Sequence, residues 1–387
     1  MNSQKTLICI SAILLILSVF LTIFNRIYAF NKAGTDFVDF ITHFYDMKQY
    51  YKNNIIPTTG ARFEMGPMLK EVAPRVPGGF FYIHYLLCYK LAGENIEIAR
   101  VFNFITMFIP ALIFLFWIYK RFGFSIFSVL SVLVLFNIYF VYTNNIFYNP
   151  NITLSLSFLF LTLFGEYVYE ENHYLNIPAM MFFPCLALMG QAHFAVYYGI
   201  VPTVIVYLIL RYKITLKNIK YILIGIFLSL LTYLPYLIAE IKNGFLNTNK
   251  MLNFSSTSDL RKVFPFPQVH SLIMFPTNEF STMYAANNFK KIMDFYLNDN
   301  PYFIFCLIIL VLSIILIFTA FIYSIIKFFK NKEFKIDYNN KDKSLILIRE
   351  LFLLFLLYFP ITILITILGR GIAGQFRYHY GAFALSF

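Results

Sequence analysis

The feature that most constrains this chain is a series of apolar runs, each close to twenty residues long. An α-helix rises about 1.5 Å per residue, so about 20 apolar residues match the roughly 30 Å hydrocarbon core of a bilayer. A tenth run begins near Tyr380 and is cut off at Phe387, which indicates a truncated C-terminus. We therefore predict one all-α domain over 1–387, a polytopic transmembrane helical bundle of about nine to ten spans. The complete runs lie at about 6–24, 101–119, 124–143, 151–169, 174–191, 194–210, 219–238, 302–326 and 346–368.

The composition excludes an ordinary soluble domain. Hydrophobic residues make up 59% of the chain and charged residues 13%, against about 25% charged residues in soluble proteins. The net charge of +12 comes without a basic stripe, a zinc-ligand spacing or an RNA-binding signature, so we expect no nucleic-acid partner. The cysteines lie inside apolar runs without C-x-x-C pairing and are expected to be inert thiols: Cys9, Cys88, Cys185 and Cys306.

The short loops predict the orientation of the bundle. Lysine and arginine cluster in the loops at 120–121, 211–220 and 327–335, which all fall on one side when the runs alternate. The opposite short connections, "TNNIFYNPN" and "QAH", contain neither residue. By the positive-inside rule the N-terminus is cytoplasmic. The first run has no A-x-A cleavage site after it and is interpreted as a retained anchor.

Two long segments, 25–98 and 239–300, are then predicted to be exoplasmic. This assignment treats "GGFFYIHYLLCYKLAG" (78–93) as an interfacial helix, because it is too short to cross a bilayer. Several spans, among them 101–119 and 302–326, contain no ionisable Asp, Glu, Lys or Arg, whereas ion-coupled transporters place such groups at mid-membrane. The pattern favours chemistry on a lipid headgroup at the outer surface.

An acidic stretch, "AGTDFVDFITHFYDMKQYYKNN", directly follows the first run. On a helix, Asp36, Asp39, His43 and Asp46 fall within a sector of roughly 80°, beside an apolar sector. The stretch is interpreted as a second interfacial helix, with its acidic edge facing water. The alternative is that these aspartates only make a loop soluble.

Four short features follow one another along the chain: "TDFVDF", "IPTTGARFEMGP" followed by "PRVPGGFFYIHYLLCYKLAG" with "IEIARVFNF", "FYNPNITL" and "MGQAHFAVYYGIVP". In this order they resemble the GT-C superfamily of polytopic glycosyltransferases. The similarity is to the branch of bacterial relatives of protein O-mannosyltransferases and lipid A aminoarabinose transferases, and it covers about 35–240. The aromatic "GGFF" replaces that branch's usual G-P-x-Y-Y, and the superfamily's common C-terminal soluble domain is missing.

The resemblance implies transfer of a sugar (a hexosyl or pentosyl group) from a polyprenyl-phosphate donor to a glycan, lipid or protein acceptor. The reaction would take place at the exoplasmic face of a bacterial inner membrane, with membrane lipids as partners and without a cofactor or metal. Asp36 matches the catalytic aspartate, with Asp39 one turn away, while Asp46 is expected to be dispensable. The runner-up function is a lipid-linked-oligosaccharide flippase or another non-catalytic carrier. The sugar, the acceptor, the prenyl length and the oligomeric state stay open.

The same resemblance implies the substrate-binding residues. Arg75 is the first candidate for the donor phosphate and Arg62 the second; the alternative for both is ordinary attraction to anionic headgroups. The further candidates are His193, Gln191, Tyr148, Asn149 and His84. The alternative for His193 is a hydrogen bond to a neighbouring group at a helix end. The alternative for Tyr148 and Asn149 is an N-P turn that only begins the next span.

Overall fold

The structure, a computed structural model, describes residues 2–32, 38–63, 73–143, 146–169, 176–253, 303–330, 343–368 and 376–387. Its helices are α1 (Asn2–Lys32), α2 (Val38–Lys52), α3 (Phe80–Leu91), α4 (Ile96–Leu135), α5 (Ile138–Thr143), α6 (Asn149–Tyr169), α7 (Ile177–Ala192), α8 (Ile200–Leu210), α9 (Tyr212–Lys217), α10 (Ile219–Lys242), α11 (Leu246–Asn253), α12 (Phe303–Lys330) and α13 (Lys343–Leu368). Short 3₁₀ helices cover Phe194–Tyr197 and Phe376–Ser386, and two strands, β1 (Thr59–Arg62) and β2 (Arg75–Pro77), form the one sheet of the described part.

The all-α class and the membrane character are confirmed. Five helices of the described part are long and apolar enough to cross a membrane. Large apolar side chains remain exposed along α4, α10 and α12, which is expected of helices that face lipid rather than water. The total of nine to ten spans remains a prediction. The five helices are Ile96–Leu135, Asn149–Tyr169, Ile219–Lys242, Val311–Lys330 and Lys343–Ile365.

The long helix α4 turns back on itself at Gly123. This residue has φ +82° and ψ 179°, a conformation that glycine adopts without a steric penalty. The rings of Phe108 and Phe140 lie 5.8 Å apart, although a straight helix would separate these residues by about 48 Å. Two antiparallel arms result, and they correspond to the separate apolar runs expected at 101–119 and 124–143.

Helix α6 forms the centre of the packed core. Its Phe158 contacts Phe114 and Phe140 of the α4–α5 arms, with ring centroids 5.3 and 5.4 Å away. On another side Phe158 contacts Phe383 of the last 3₁₀ helix at 5.8 Å. The segment after Tyr380, expected to begin a tenth span, is therefore a 3₁₀ helix that packs against α6.

The two ends of the bundle differ in their polar groups. At one end Arg121 forms an ion pair with Glu166 (2.5 Å), and Arg211 forms one with Glu350 (2.7 Å). These pairs lie beside the lysine-rich loops. Asn149, at the start of α6, is about 25 Å from Glu166 along the helix, and it shares the opposite end with α2, α3 and the sheet. The described parts of the segments expected to be exoplasmic therefore lie at one end, and the basic loops at 120–121 and 211–220 lie at the other.

Candidate functional site

Helix α2 packs on α3 through a face that joins part of its predicted apolar sector to part of its predicted water-facing edge. Phe40, His43 and Met47 recur at helical spacing and are buried against aromatic residues of α3. His43 is 0% exposed and its ring lies 4.8 Å from that of Phe81. This edge therefore faces protein.

The prediction of a water-facing acidic edge is wrong for His43 and Asp46. Asp46 is only 6% exposed, whereas Ile41 and Tyr45 on the other side of α2 are 53% and 59% exposed. A charge is tolerated in such a position when a partner compensates for it. Asp39 is half-buried at the start of α2. Asp36, the expected catalytic base, lies in 33–37, outside the described residues.

A small antiparallel sheet brings two distant arginines together. Arg62 at the end of β1 lies opposite Arg75 at the start of β2. The all-α prediction missed this sheet, because strands of four and three residues carry too little alternation to be recognised. The sheet packs beside α3 and α7, and its arginine side chains point towards α2.

Asp46 is the centre of the resulting cluster. Its Oδ2 accepts hydrogen bonds from Arg75 Nη2 (2.8 Å) and Tyr82 Oη (3.1 Å), and its Oδ1 accepts one from Arg62 Nη2 (3.3 Å). The two guanidinium groups and one carboxylate leave one excess positive charge. The arginines keep 16% and 21% of their side-chain surface exposed, so an anion could reach them. No group of three or more metal-ligating His, Cys, Asp or Glu side chains occurs in the described ranges.

The charge states of the cluster follow from its surroundings. Burial alone would raise the pKa of Asp46, but Arg75 and Arg62 outweigh it and lower that pKa below its ordinary value. Burial lowers the pKa of His43 to about 3, in spite of the nearby Asp46. At neutral pH the cluster therefore contains an ionised aspartate and a neutral histidine.

Tyr82 fixes the tautomer of that histidine. The hydroxyl group has one proton, which it donates to Asp46, so its oxygen accepts from Nδ1 of His43 at 3.2 Å. The lone pair is then on Nε2, which has no hydrogen-bond partner within the described part. Sequence reasoning missed the roles of Asp46, His43 and Tyr82. For His43 and Asp46 the signal that could have revealed them was their i, i+3 spacing between the apolar residues Phe40 and Met47 of α2, whereas Tyr82 on α3 carried no such signal.

Two predicted binding residues form hydrogen bonds that connect the helices around the cluster. Gln191 is buried; its Oε1 accepts from the backbone N of Phe80 (3.3 Å) and its Nε2 donates to Thr232 Oγ1 (2.8 Å). Asn149 Nδ2 donates to the backbone O of Ala192 at 3.1 Å. Both side chains therefore hold α3, α6, α7 and α10 in register at this end.

The other predicted residues lie at different distances from Asp46. Tyr148 is close, since its ring centroid is 6.3 Å from that of His43. His193 ends α7, next to Phe194, whose ring is 5.1 Å from that of Phe63 after β1. His84 is not part of the cluster: its Nε2 pairs with Asn103 Oδ1 at 3.0 Å.

We expect Gly79→Ala to destabilise the site. A Cβ at this position would collide with the backbone carbonyl group of Pro57, which cannot move away as a flexible side chain could. The expected loss is about 1–3 kcal/mol of the free energy of unfolding, measured as a lower Tm of the purified protein. Gly381→Ala is the control, because its added Cβ would meet atoms no closer than 3.5 Å and should leave the Tm unchanged.

Fold and site together define an α-helical membrane protein with a partly buried Arg–Asp–Arg cluster at one end of its bundle. Comparison of the chain with family models, with curated proteins and with solved structures finds no match in any of the three. The resemblance to the GT-C superfamily therefore rests on the sequence motifs alone.

Proposed function

We propose that this protein is a membrane glycosyltransferase that moves a sugar from a polyprenyl-phosphate donor to an acceptor at the outer face of a bacterial inner membrane. The observation that carries the proposal is the convergence of Arg62 and Arg75 on Asp46, with one positive charge in excess. These are the two arginines that the sequence motifs suggested for the donor phosphate.

The leaving group gives these arginines their proposed role. As the bond between the sugar and the phosphate breaks, negative charge grows on the phosphate oxygens. Fixed guanidinium groups stabilise that charge without reorganising, and their planar donors match phosphate geometry. Asp46 holds both side chains in place before the donor arrives, which lowers the entropy lost on binding.

The acceptor requires a different group. Its hydroxyl oxygen attacks the anomeric carbon, and its proton passes to a carboxylate while the lipid phosphate leaves. Asp46 is a poor proton acceptor because Arg75 and Arg62 keep its pKa low. We therefore assign the base to Asp36, with Asp39 beside it. Asp39 is seven residues before Asp46 on α2, about 10 Å along the helix.

The proposed orientation places this end of the bundle outside the cell. The lysine-rich loops at 120–121 and 211–220 lie at the opposite end, beside the Arg121–Glu166 and Arg211–Glu350 pairs. Such loops are retained in the cytoplasm in most membrane proteins. The donor phosphate would then lie at the outer headgroup level, close to α2 and the sheet.

Purified protein in proteoliposomes, given a radiolabelled polyprenyl-phosphate sugar and an extract of envelope acceptors, should transfer label and release polyprenyl phosphate. Arg75→Gln should raise the KM for the donor about 10- to 100-fold, because a charge-assisted contact is lost. Lys52→Gln removes the same charge from an exposed site at this end and is the control. Movement of the labelled lipid between leaflets without cleavage would instead support the carrier.

A further inference from the structure

In the described part of the second long segment, 239–253, the side chain of Asn247 contacts the backbone of Arg75. Its Oδ1 accepts a hydrogen bond from the backbone N of Arg75 (2.8 Å), and its Nδ2 donates to the backbone O of Arg75 (3.0 Å). These residues are 172 positions apart in the sequence. These two hydrogen bonds are of the kind that a neighbouring strand would form with the backbone of β2.

This contact lies on the free edge of β2. The backbone O of Pro74 accepts from Phe63 N on the β1 side (2.9 Å), so the N–H and C=O groups of the following residue, Arg75, point away from β1. They would otherwise be exposed edge groups. A pair of short strands is only marginally stable by itself, and Asn247 supplies hydrogen bonds to the other edge of β2.

Asn247 is itself held firmly by the end of α10. Glu240 accepts hydrogen bonds from the backbone N of Asn247 (3.2 Å) and of Thr248 (2.7 Å), which satisfies donors at the start of α11. The second proton of Asn247 Nδ2 goes to Tyr236 Oη at 3.2 Å. Every polar group of this amide therefore has a partner, and its position is fixed by α10.

We propose that Asn247 is a positioning residue for binding of the donor phosphate, an assignment that rests on the proposed function. Arg75 has a long side chain, which must point to one place to bind an anion. Its guanidinium is held by Asp46 (2.8 Å) and by the backbone O of Gly60 (3.3 Å), and Asn247 fixes its backbone. Fixing both ends preorganises the arginine, and it links residues 246–253 to occupancy of the phosphate site.

The test compares two lipids that differ only in the phosphate. The full chain in nanodiscs is titrated with a polyprenyl phosphate and with the uncharged polyprenol of the same length. Asn247→Leu removes both contacts to Arg75 at similar size, and it should raise the Kd for the phosphate lipid about tenfold while the Kd for the polyprenol stays within about twofold. Asn249→Leu, an exposed neighbour on α11, should change neither Kd.

Hydrogen exchange of the unmodified protein gives a second readout that needs no variant. By linkage, if Asn247 positions Arg75, bound polyprenyl phosphate must slow amide exchange in 246–253, and the polyprenol must not. The positioning role would be overturned if Asn247→Leu raised the Kd for both lipids equally or changed neither Kd. It would also be overturned if bound polyprenyl phosphate left amide exchange in 246–253 unchanged. Wild-type protein that binds both lipids equally well would overturn the proposed function, and this assignment with it.

Discussion

Asp46→Asn should destabilise the protein more than any other single carboxylate-to-amide change at this end of the bundle. The amide keeps the shape of the side chain but leaves Arg62 and Arg75 side by side without a counter-charge. Removing one partner of a fully buried pair costs about 3–5 kcal/mol. Because the arginines are partly exposed, we expect about 2–4 kcal/mol, measured as a lower Tm of the purified protein.

Two variants separate the charge effect from a general loss of packing. Asp46→Asn combined with Arg75→Gln should cost less than the sum of the single changes, because the double variant removes one of the two uncompensated positive charges and with it the repulsion between them. Glu94→Gln changes an exposed residue whose partner is the hydroxyl of Tyr51, and the amide oxygen can still accept that hydrogen bond, so it should cost little. Additive costs in the double variant would contradict a charge-centred role for Asp46.

The contribution of Asp46 should also depend on pH. The folded state holds its pKa below the value of an unfolded aspartate, so the stabilisation is present above about pH 4 and is lost as pH falls through the folded pKa. The Asn variant lacks it at every pH. The difference in Tm between wild type and Asp46→Asn should therefore be largest near neutral pH and shrink in acid. A constant difference would mean that the carboxylate charge does not matter.

Apolar run length predicted most of the fold, because that signal is local. The runs at 219–238, 302–326 and 346–368 correspond to α10, α12 and α13. The stretch at 78–93 contains α3, a helix of only twelve residues, as its length indicated. These features depend only on residues next to one another in the chain.

The site could be predicted only in part, because its contacts are made between distant segments. Motifs suggested Arg62 and Arg75, but their shared partner Asp46 lies on α2, 29 residues from Arg75. The polar edge of α2 was expected to face water, which is wrong for Asp46 and His43. An ion pair can be buried when its partners arrive from elsewhere, and a sequence does not show which segments will dock.

The contact between Asn247 and Arg75 is a second example of a long-range contact that the sequence does not predict. A single asparagine after α10 has no signal of its own in the sequence, and its effect depends on the docking of α10 beside the sheet. The two long segments were expected to share one side of the membrane. That Asn247 of the second segment contacts Arg75 of the first is a property of the packed bundle.

Asp36→Asn should reduce sugar transfer by about 10² or more while the protein and its donor binding are retained. The amide has nearly the same shape as the acid but accepts a proton poorly, so the acceptor hydroxyl would lose its base. The donor phosphate is assigned to Arg62 and Arg75, so the Kd for a polyprenyl phosphate should not change. Transfer rate under saturating donor and lipid affinity are measured on the same preparation.

The control for this change must be a carboxylate that the structure leaves exposed. Asp46→Asn cannot serve as this control, because it is expected to disrupt the arginine cluster. Glu94→Gln removes the same charge at the same end of the bundle, on an exposed side chain whose hydrogen bond from Tyr51 the amide oxygen can still accept, and should leave transfer intact. Asp39→Asn should fall between the two if Asp39 assists the base. Equally mild losses at Asp36, Asp39 and Glu94 would show that the carboxylates in and before α2 only keep this segment hydrated, and the base would then have to be sought elsewhere.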